Sequence, residues 1–392
     1  MKIKKSLILV CVSFILSSCL NEMNIGMIEQ VESKEDAIVL EYVPNGNVET
    51  VTLNNGLTVY MDEDSTYFLE DITFSKEQIW LMNASSSRSA VLCHMVKYWS
   101  TRIPYQILSG FSDTEIQYIK DAMYDISAVS PITFYESSLS SQRINFTPNA
   151  NSNSSPVGMQ QGGNRVLLAN GGFNKGSAIH EIMHSLGIFH EQSRSDRDSY
   201  LIINWNNIAA GKEHNFNKYA IDYKGIDVGT FDFNSIMLYS STAFSKNNEP
   251  TMLRKSDGEK FYANESNLSD GDIAGINCFY GPTMGIKSTV TGGYDESGND
   301  YIDRRTDYSH EVYFYSATGE RITLEYPRLI VVKCINGTRS SSSQPMNESV
   351  SRLYFLAPAG SSSYSLPATS DYYQSDMGYI RWEEYTRYYI EN

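Results

Sequence analysis

Three of the chain's six histidines fall within eleven consecutive residues, His180-Glu181-Ile182-Met183-His184-Ser185-Leu186-Gly187-Ile188-Phe189-His190. On a helix, residues four apart stack on one face about 6 Å from each other, so His180 and His184 can point two imidazoles at one metal ion. Glu181 sits one step round the helix, close to the metal but outside its ligand shell. That position suits a general base acting on water that the metal activates. Gly187 takes positive φ without steric cost, so the helix can stop there and the chain can return His190 as a third ligand. Three protein ligands leave one position open, which separates a catalytic zinc site from a structural one. The run therefore predicts a helix, a stop and a reversal around zinc.

The chain continues Glu191-Gln192-Ser193-Arg194-Ser195-Asp196-Arg197-Asp198-Ser199-Tyr200, then Leu201-Ile202-Ile203-Asn204-Trp205. Ser235-Ile236-Met237-Leu238-Tyr239 follows downstream, and Trp99 and Ile103-Pro104-Tyr105 stand upstream. Over about residues 89–283 these landmarks resemble the astacin family of zinc endopeptidases. The family motif runs His-Glu-Gln-x-Arg-x-Asp-Arg-Asp-x-Tyr after the third histidine, and its Met-turn is usually Ser-x-Met-His-Tyr. Leu238 stands here in place of that histidine.

The resemblance implies an α+β fold: a two-subdomain metzincin catalytic domain. It implies zinc on His180, His184 and His190, with Glu181 as general base and then general acid. Met237 would form the hydrophobic floor beneath the imidazoles, and Tyr239 would be a switchable tyrosine that donates to the oxyanion. Glu191 matches the position that receives the new N-terminus of the mature enzyme. Upstream, Tyr67-Phe68-Leu69-Glu70-Asp71-Ile72 resembles the Phe-x-Gly-Asp segment of astacin propeptides, whose Asp blocks the zinc. Asp71 is thus the candidate latency ligand, with Glu70 where the family has Gly. An edge strand read over Gly158–Asn170, with its core at 165–168, would hold an extended substrate by main-chain pairing.

The first nineteen residues form a targeting segment. Lys2, Lys4 and Lys5 precede an apolar run, Leu7 to Leu16, that is too short to span a membrane. It ends Leu16-Ser17-Ser18-Cys19, which looks like a bacterial lipobox with Cys19 as the acylated residue; a plain secretory signal is the other reading. Either way the chain is expected outside the cytoplasm, extracellular or as an outer-membrane or cell-surface lipoprotein, with membrane attachment only through the lipid. Cys93, Cys278 and Cys334 remain. Cys93 and Cys278 are a disulfide candidate, similar to a tie that astacins use. Simple burial is the alternative, as is Cys93 acting as a thiolate on the zinc.

Residues 20–88 are polar with little periodicity and suit a propeptide, with an exposed cleavage site for an activating protease most simply after Arg88. The catalytic region then spans 89–283. Within it, 113–127 reads as a helix with Ile116, Ile119, Met123 and Ile126 on one stripe, and Asn149 to Pro156 as a loop. Residues 284–392, rich in Tyr, Ser and Thr with alternating runs, read as a small β-rich, sandwich-like accessory domain. The net charge of −15 argues against nucleic acid as a partner. A protein or peptide substrate is the expected partner. The alternative is a surface adhesin that binds host protein or glycan through residues 284–392, where exposed aromatics could stack on sugars.

Overall fold

The computed structural model describes residues 42–53, 58–79, 97–150, 152–218, 226–298, 300–316, 318–377 and 379–391. Cys19, Arg88 and Cys93 lie outside the described residues.

Residues 42–79, read from sequence as unpatterned, contain four short strands: β1 (Glu49–Thr52), β2 (Thr58–Met61), β3 (Tyr67–Leu69) and β4 (Ile72–Phe74). They form an antiparallel meander. Leu53, Val59, Leu69, Ile72 and Phe74 make a small core that reaches Val157 and Phe189 of the following region. Strands of three or four residues contain too few alternations to register as a period.

The next layer comprises β5 (Arg102–Ile107), α1 (Asp113–Val129), β6 (Thr133–Glu136), β7 (Ile144–Asn149), β8 (Ser155–Pro156), β9 (Asn164–Ala169) and α2 (Lys175–Ser185). Four of these strands form a parallel sheet in the order β6-β5-β7-β9. Helix α1 starts on a Ser112/Glu115 capping box and buries Ile119, Ala122, Met123 and Ile126 on one face, as the stripe predicts. Ile116 is only half-buried. Those residues join Ile103, Ile144, Phe146, Val166, Ile179, Ile182 and Met183 in the main core.

One correction concerns the cleft. Strand β9 is the edge of the parallel sheet, but Ser154 and Leu167 exchange backbone hydrogen bonds across it in antiparallel fashion. The segment read as a loop thus covers β9 and makes β8, not β9, the strand against which further main chain pairs. Strand β4 pairs with β8 in parallel, with Ser155 N donating to Asp71 O at 2.9 Å. A two-residue strand leaves no periodic signal, so only tertiary pairing defines it.

Below α2 the chain has few regular elements. Strand β10 (Leu201–Ile203) pairs with β11 (Met252–Arg254) over a core of Phe216, Phe231, Leu238, Tyr239 and Met252. Leu238 is therefore packed in apolar surroundings, where a leucine in the Met-turn has a place. Helix α3 (Asp270–Tyr280) returns to the upper core through Ile276 and Tyr280.

Six long strands complete the chain: β12 (Thr283–Ser297), β13 (Tyr301–Tyr315), β14 (Arg328–Arg339), β15 (Asn347–Ala357), β16 (Ser363–Asp376) and β17 (Tyr379–Glu391). They form one antiparallel sheet in the order β12-β13-β16-β17-β14-β15. Strands β16 and β17 pair only near their connecting turn; farther along, β16 runs with β13 and β17 with β14. The sheet opens into two leaves that share a core of Met284, Phe314, Ile330, Val332 and Leu366. This is sandwich-like, as read from sequence, with hydrogen bonding continuous through one end. Arg328 fastens the sheet to α3. Its Nη1 donates to the carbonyls of Cys278, Phe279 and Leu329, each at 3.0 Å, and its Nε donates to Pro282 O at 3.2 Å. A cation at a helix C-terminus suits both the orphan carbonyls and the helix dipole.

Candidate metal centre

Helix α2 begins on an Asn174/Ser177 capping box and is buried from Gly176 to Ser185. It stops as the sequence predicts. Gly187 has φ +98°, its N–H donates to His184 O at 2.8 Å, and Ile188 N donates to Met183 O at 3.0 Å. These two bonds are the Schellman closure, and they reverse the chain toward His190.

The Nε2 atoms of His180, His184 and His190 then lie 3.1–3.2 Å from one another. Ligands about 2.0–2.1 Å from a tetrahedral zinc ion stand about 3.3 Å apart, so the triangle has the size of a zinc face. The other ring nitrogens fix the imidazoles. His180 Nδ1 faces Ile236 O and His184 Nδ1 faces Ile188 O, each at 2.8 Å, which leaves Nε2 as the ligand atom.

Asp71 closes the fourth side. It is fully buried, and its carboxylate oxygens lie 3.3 Å from His180 Nε2, 3.4 Å from His184 Nε2 and 3.3 Å from His190 Nε2. Neither oxygen has a hydrogen-bond donor, and Asp71 with the three histidines is the one group among the described residues that could hold a metal ion. Burial alone would push the Asp71 carboxyl up, but His190 and His184 beside it hold it well below its ordinary value. A buried carboxylate packed against three imidazole nitrogens, with no hydrogen-bond donor of its own, calls for positive charge among them, and a metal cation supplies it, so these residues fit zinc.

Glu181 is fully buried, and both of its oxygens lack a partner. Burial first, and then the charge on Asp71, push its carboxyl well above the usual range. Tyr239 is buried with its ring 4.6 Å from that of His190. Its hydroxyl donates to Glu70 Oε2 at 2.9 Å, and the same oxygen lies against His190 Nδ1. Met237 is buried in the main core.

The turn that carries Met237 is held by Asp272, a residue the sequence reading passed over. Ser235 Oγ donates to Asp272 Oδ1 at 2.7 Å and Ile236 N to Oδ2 at 2.9 Å. The available signal was its place at the third position of α3, where Ser269 and Asp272 form a capping box. Glu191 is mostly buried beside a cavity of about 110 Å³ that is also lined by Tyr98, Arg194, Asp227, Asp232 and Asp272. It accepts from Asp232 N at 2.8 Å and lies 3.6 Å from Arg194 Nη1, and burial raises its carboxyl to about 7. Cys278 is a buried free thiol, pushed up to about 11 by burial.

The family model of the astacin peptidases matches residues 92–281. Flavastacin of Elizabethkingia meningoseptica is 32% identical over 331 residues, covering 79% of this chain and 72% of that protein. The chain belongs to the astacin family. Zinc metalloproteinase nas-13 of Caenorhabditis elegans is 38% identical over 196 residues, which is 49% of this chain and 43% of the relative. The solved high choriolytic enzyme 1, a hatching-enzyme zinc protease of Oryzias latipes (medaka fish), is 31% identical with a TM-score of 0.43, covering 46% of this chain and 92% of that one. As an astacin, the chain is a zinc metallopeptidase whose catalytic unit is followed by an antiparallel β-sheet region. Among the described residues no helix is long and apolar enough to cross a membrane.

Proposed function

We propose that this astacin is made as a latent precursor, exported, and activated by removal of residues up to about Arg88, after which it hydrolyses peptide bonds of extracellular proteins. The observation that carries the reading is the seat of Asp71, a carboxylate from outside the catalytic region that occupies the fourth side of the three-histidine face.

Zinc, when bound, supplies a Lewis acid that polarises the substrate carbonyl and lowers the pKa of water toward about 7. His180, His184 and His190 would hold it, the first two with their second nitrogens fixed by the carbonyls of Ile236 and Ile188. Glu181 takes a proton from the attacking water and delivers it to the leaving amine. Its raised affinity for protons and the absence of competing hydrogen bonds support that role. Tyr239 donates its hydroxyl to the developing oxyanion once the propeptide has left. Met237 packs under the imidazoles without ligating. Substrate main chain would pair along β8, where the precursor seats its own strand β4.

The cavity beside Glu191 receives the new N-terminal ammonium, which would give that buried carboxylate a second cation besides Arg194. Acylation at Cys19 anchors the protein to a membrane from outside the cytoplasm. The test is to assay the zinc-loaded full chain on quenched peptides before and after limited cleavage near Arg88. Turnover should appear on cleavage and vanish with a chelator. An uncleaved chain as active as the cleaved one, or activity indifferent to chelation, would sink the reading.

A further inference from the structure

Asp71 is one of two side chains at the tip of the same hairpin. Strands β3 and β4 pair Leu69 with Ile72, so Glu70 and Asp71 are the whole connecting loop. In such a two-residue loop with positive φ at the first position only, that position is normally glycine, because a side chain there is strained. Here it is Glu70, with φ +61°. Strain of this kind persists only where surrounding contacts over-determine it. The contacts are present: Glu70 is 1% exposed, its Oε2 accepts the Tyr239 hydroxyl at 2.9 Å, and the same oxygen lies against His190 Nδ1.

We propose that Glu70 is a second latch of the precursor, independent of Asp71, which draws the Tyr239 hydroxyl and the outer nitrogen of His190 onto a propeptide carboxylate. Asp71 covers the face where zinc would meet substrate, while Glu70 withdraws the hydrogen-bond donor meant for the oxyanion. Removing either leaves the other in force. The proposal rests on the peptidase reading for its consequence, but its geometry concerns two side chains of this chain and holds in zinc-free protein as well.

Two measurements on the full uncleaved chain test it. In zinc-free protein, deuterium uptake over residues 67–74 reports how tightly the tip is held. Glu70→Gly should speed exchange about tenfold or more, and Tyr239→Phe should act in the same direction. Combining the two should add nothing to Glu70→Gly, because the Tyr239–Glu70 bond is already lost there. If Glu70 merely spans the turn, glycine relieves the strained φ and exchange stays the same or slows, which overturns the proposal.

In zinc-loaded chain confirmed intact by mass, Asp71→Asn should leak slow turnover of a short peptide, and Glu70→Gly with Asp71→Asn should leak at least tenfold more. Equal leakage from the two overturns the proposal. Glu70→Asn, which tolerates a left-handed backbone but falls a methylene short of Tyr239, should repeat the Glu70→Gly result and serves if the glycine chain folds poorly. Cleaved wild type is the separate control. If it hydrolyses no peptide, the peptidase reading fails, while the exchange result still decides the latch.

Discussion

Asp272→Ala should weaken zinc binding although Asp272 touches neither metal nor substrate. Its carboxylate joins α3 to the Met-turn: Oδ1 accepts from Ser235 Oγ at 2.7 Å, and Oδ2 accepts from Ile236 N and from Ser269 N, each at 2.9 Å. Ile236 in turn holds His180 Nδ1 through its carbonyl at 2.8 Å. Alanine leaves Ser235 Oγ and Ile236 N as buried donors without acceptors, at about 1–3 kcal/mol each. Loss of the reciprocal cap on α3 adds about 1 kcal/mol. Burial raises the Asp272 carboxyl, so removing it also relieves some desolvation, and the net loss should be about 3 kcal/mol. Losing the partner that orients a ligating histidine typically costs about 10–100-fold in metal affinity; acting through one intervening peptide, Asp272→Ala belongs near the tenfold end. Competitive zinc titration against a chromogenic chelator measures the affinity, and a thermal melt measures the stability. Asp272→Asn is the internal control. Its amide oxygen can still serve Ile236 N and Ser269 N, and the Ser235 hydroxyl can turn to accept from the amide, so the loss should be about 1 kcal/mol or less. An alanine variant with zinc affinity within about twofold of wild type and an unchanged melt would refute the reasoning.

Glu181→Gln should keep one zinc per chain while the turnover of cleaved enzyme falls about 10²–10⁴-fold, since only the proton carrier is lost; undiminished turnover would remove Glu181 from the mechanism. Gly187→Ala forces a side chain onto φ +98° and should cost about 1–3 kcal/mol by denaturant titration, with weaker zinc binding as His190 shifts; an unchanged midpoint would contradict the Schellman closure as the device that places the third ligand. Arg328→Met removes the donor from the carbonyls of Cys278 and Phe279 in the last turn of α3, of Pro282 just beyond it and of Leu329, and should destabilise by about 2–4 kcal/mol, with earlier proteolytic separation of the β-sheet region from the catalytic unit; equal protease resistance would show that the junction does not depend on that cation.

The three-histidine face was legible because its geometry is local. Four residues along a helix, a glycine that ends it and three more residues to His190 fix the relative reach of the imidazoles, whatever the rest of the chain does. The stripe on α1 and the alternation in the last 109 residues were legible for the same reason, each being a period carried by neighbours in sequence. What failed was either too short or too distant. Strands β1 to β4 and the two-residue β8 have no room for a period, and so the cleft edge was assigned to β9 instead.

Asp272 read only as a helix cap, and Glu70 only as a departure from an expected glycine. Their partners lie 36 and 169 residues away, and no local pattern encodes such a pairing. Sequence alone pointed to three imidazoles around one metal with Glu181 beside them, and left open what closes the fourth side. Tertiary structure decided what holds the imidazoles still and what covers the site, because those tasks fall to carbonyls, a distant aspartate and a hairpin tip that meet only when separate segments pack together.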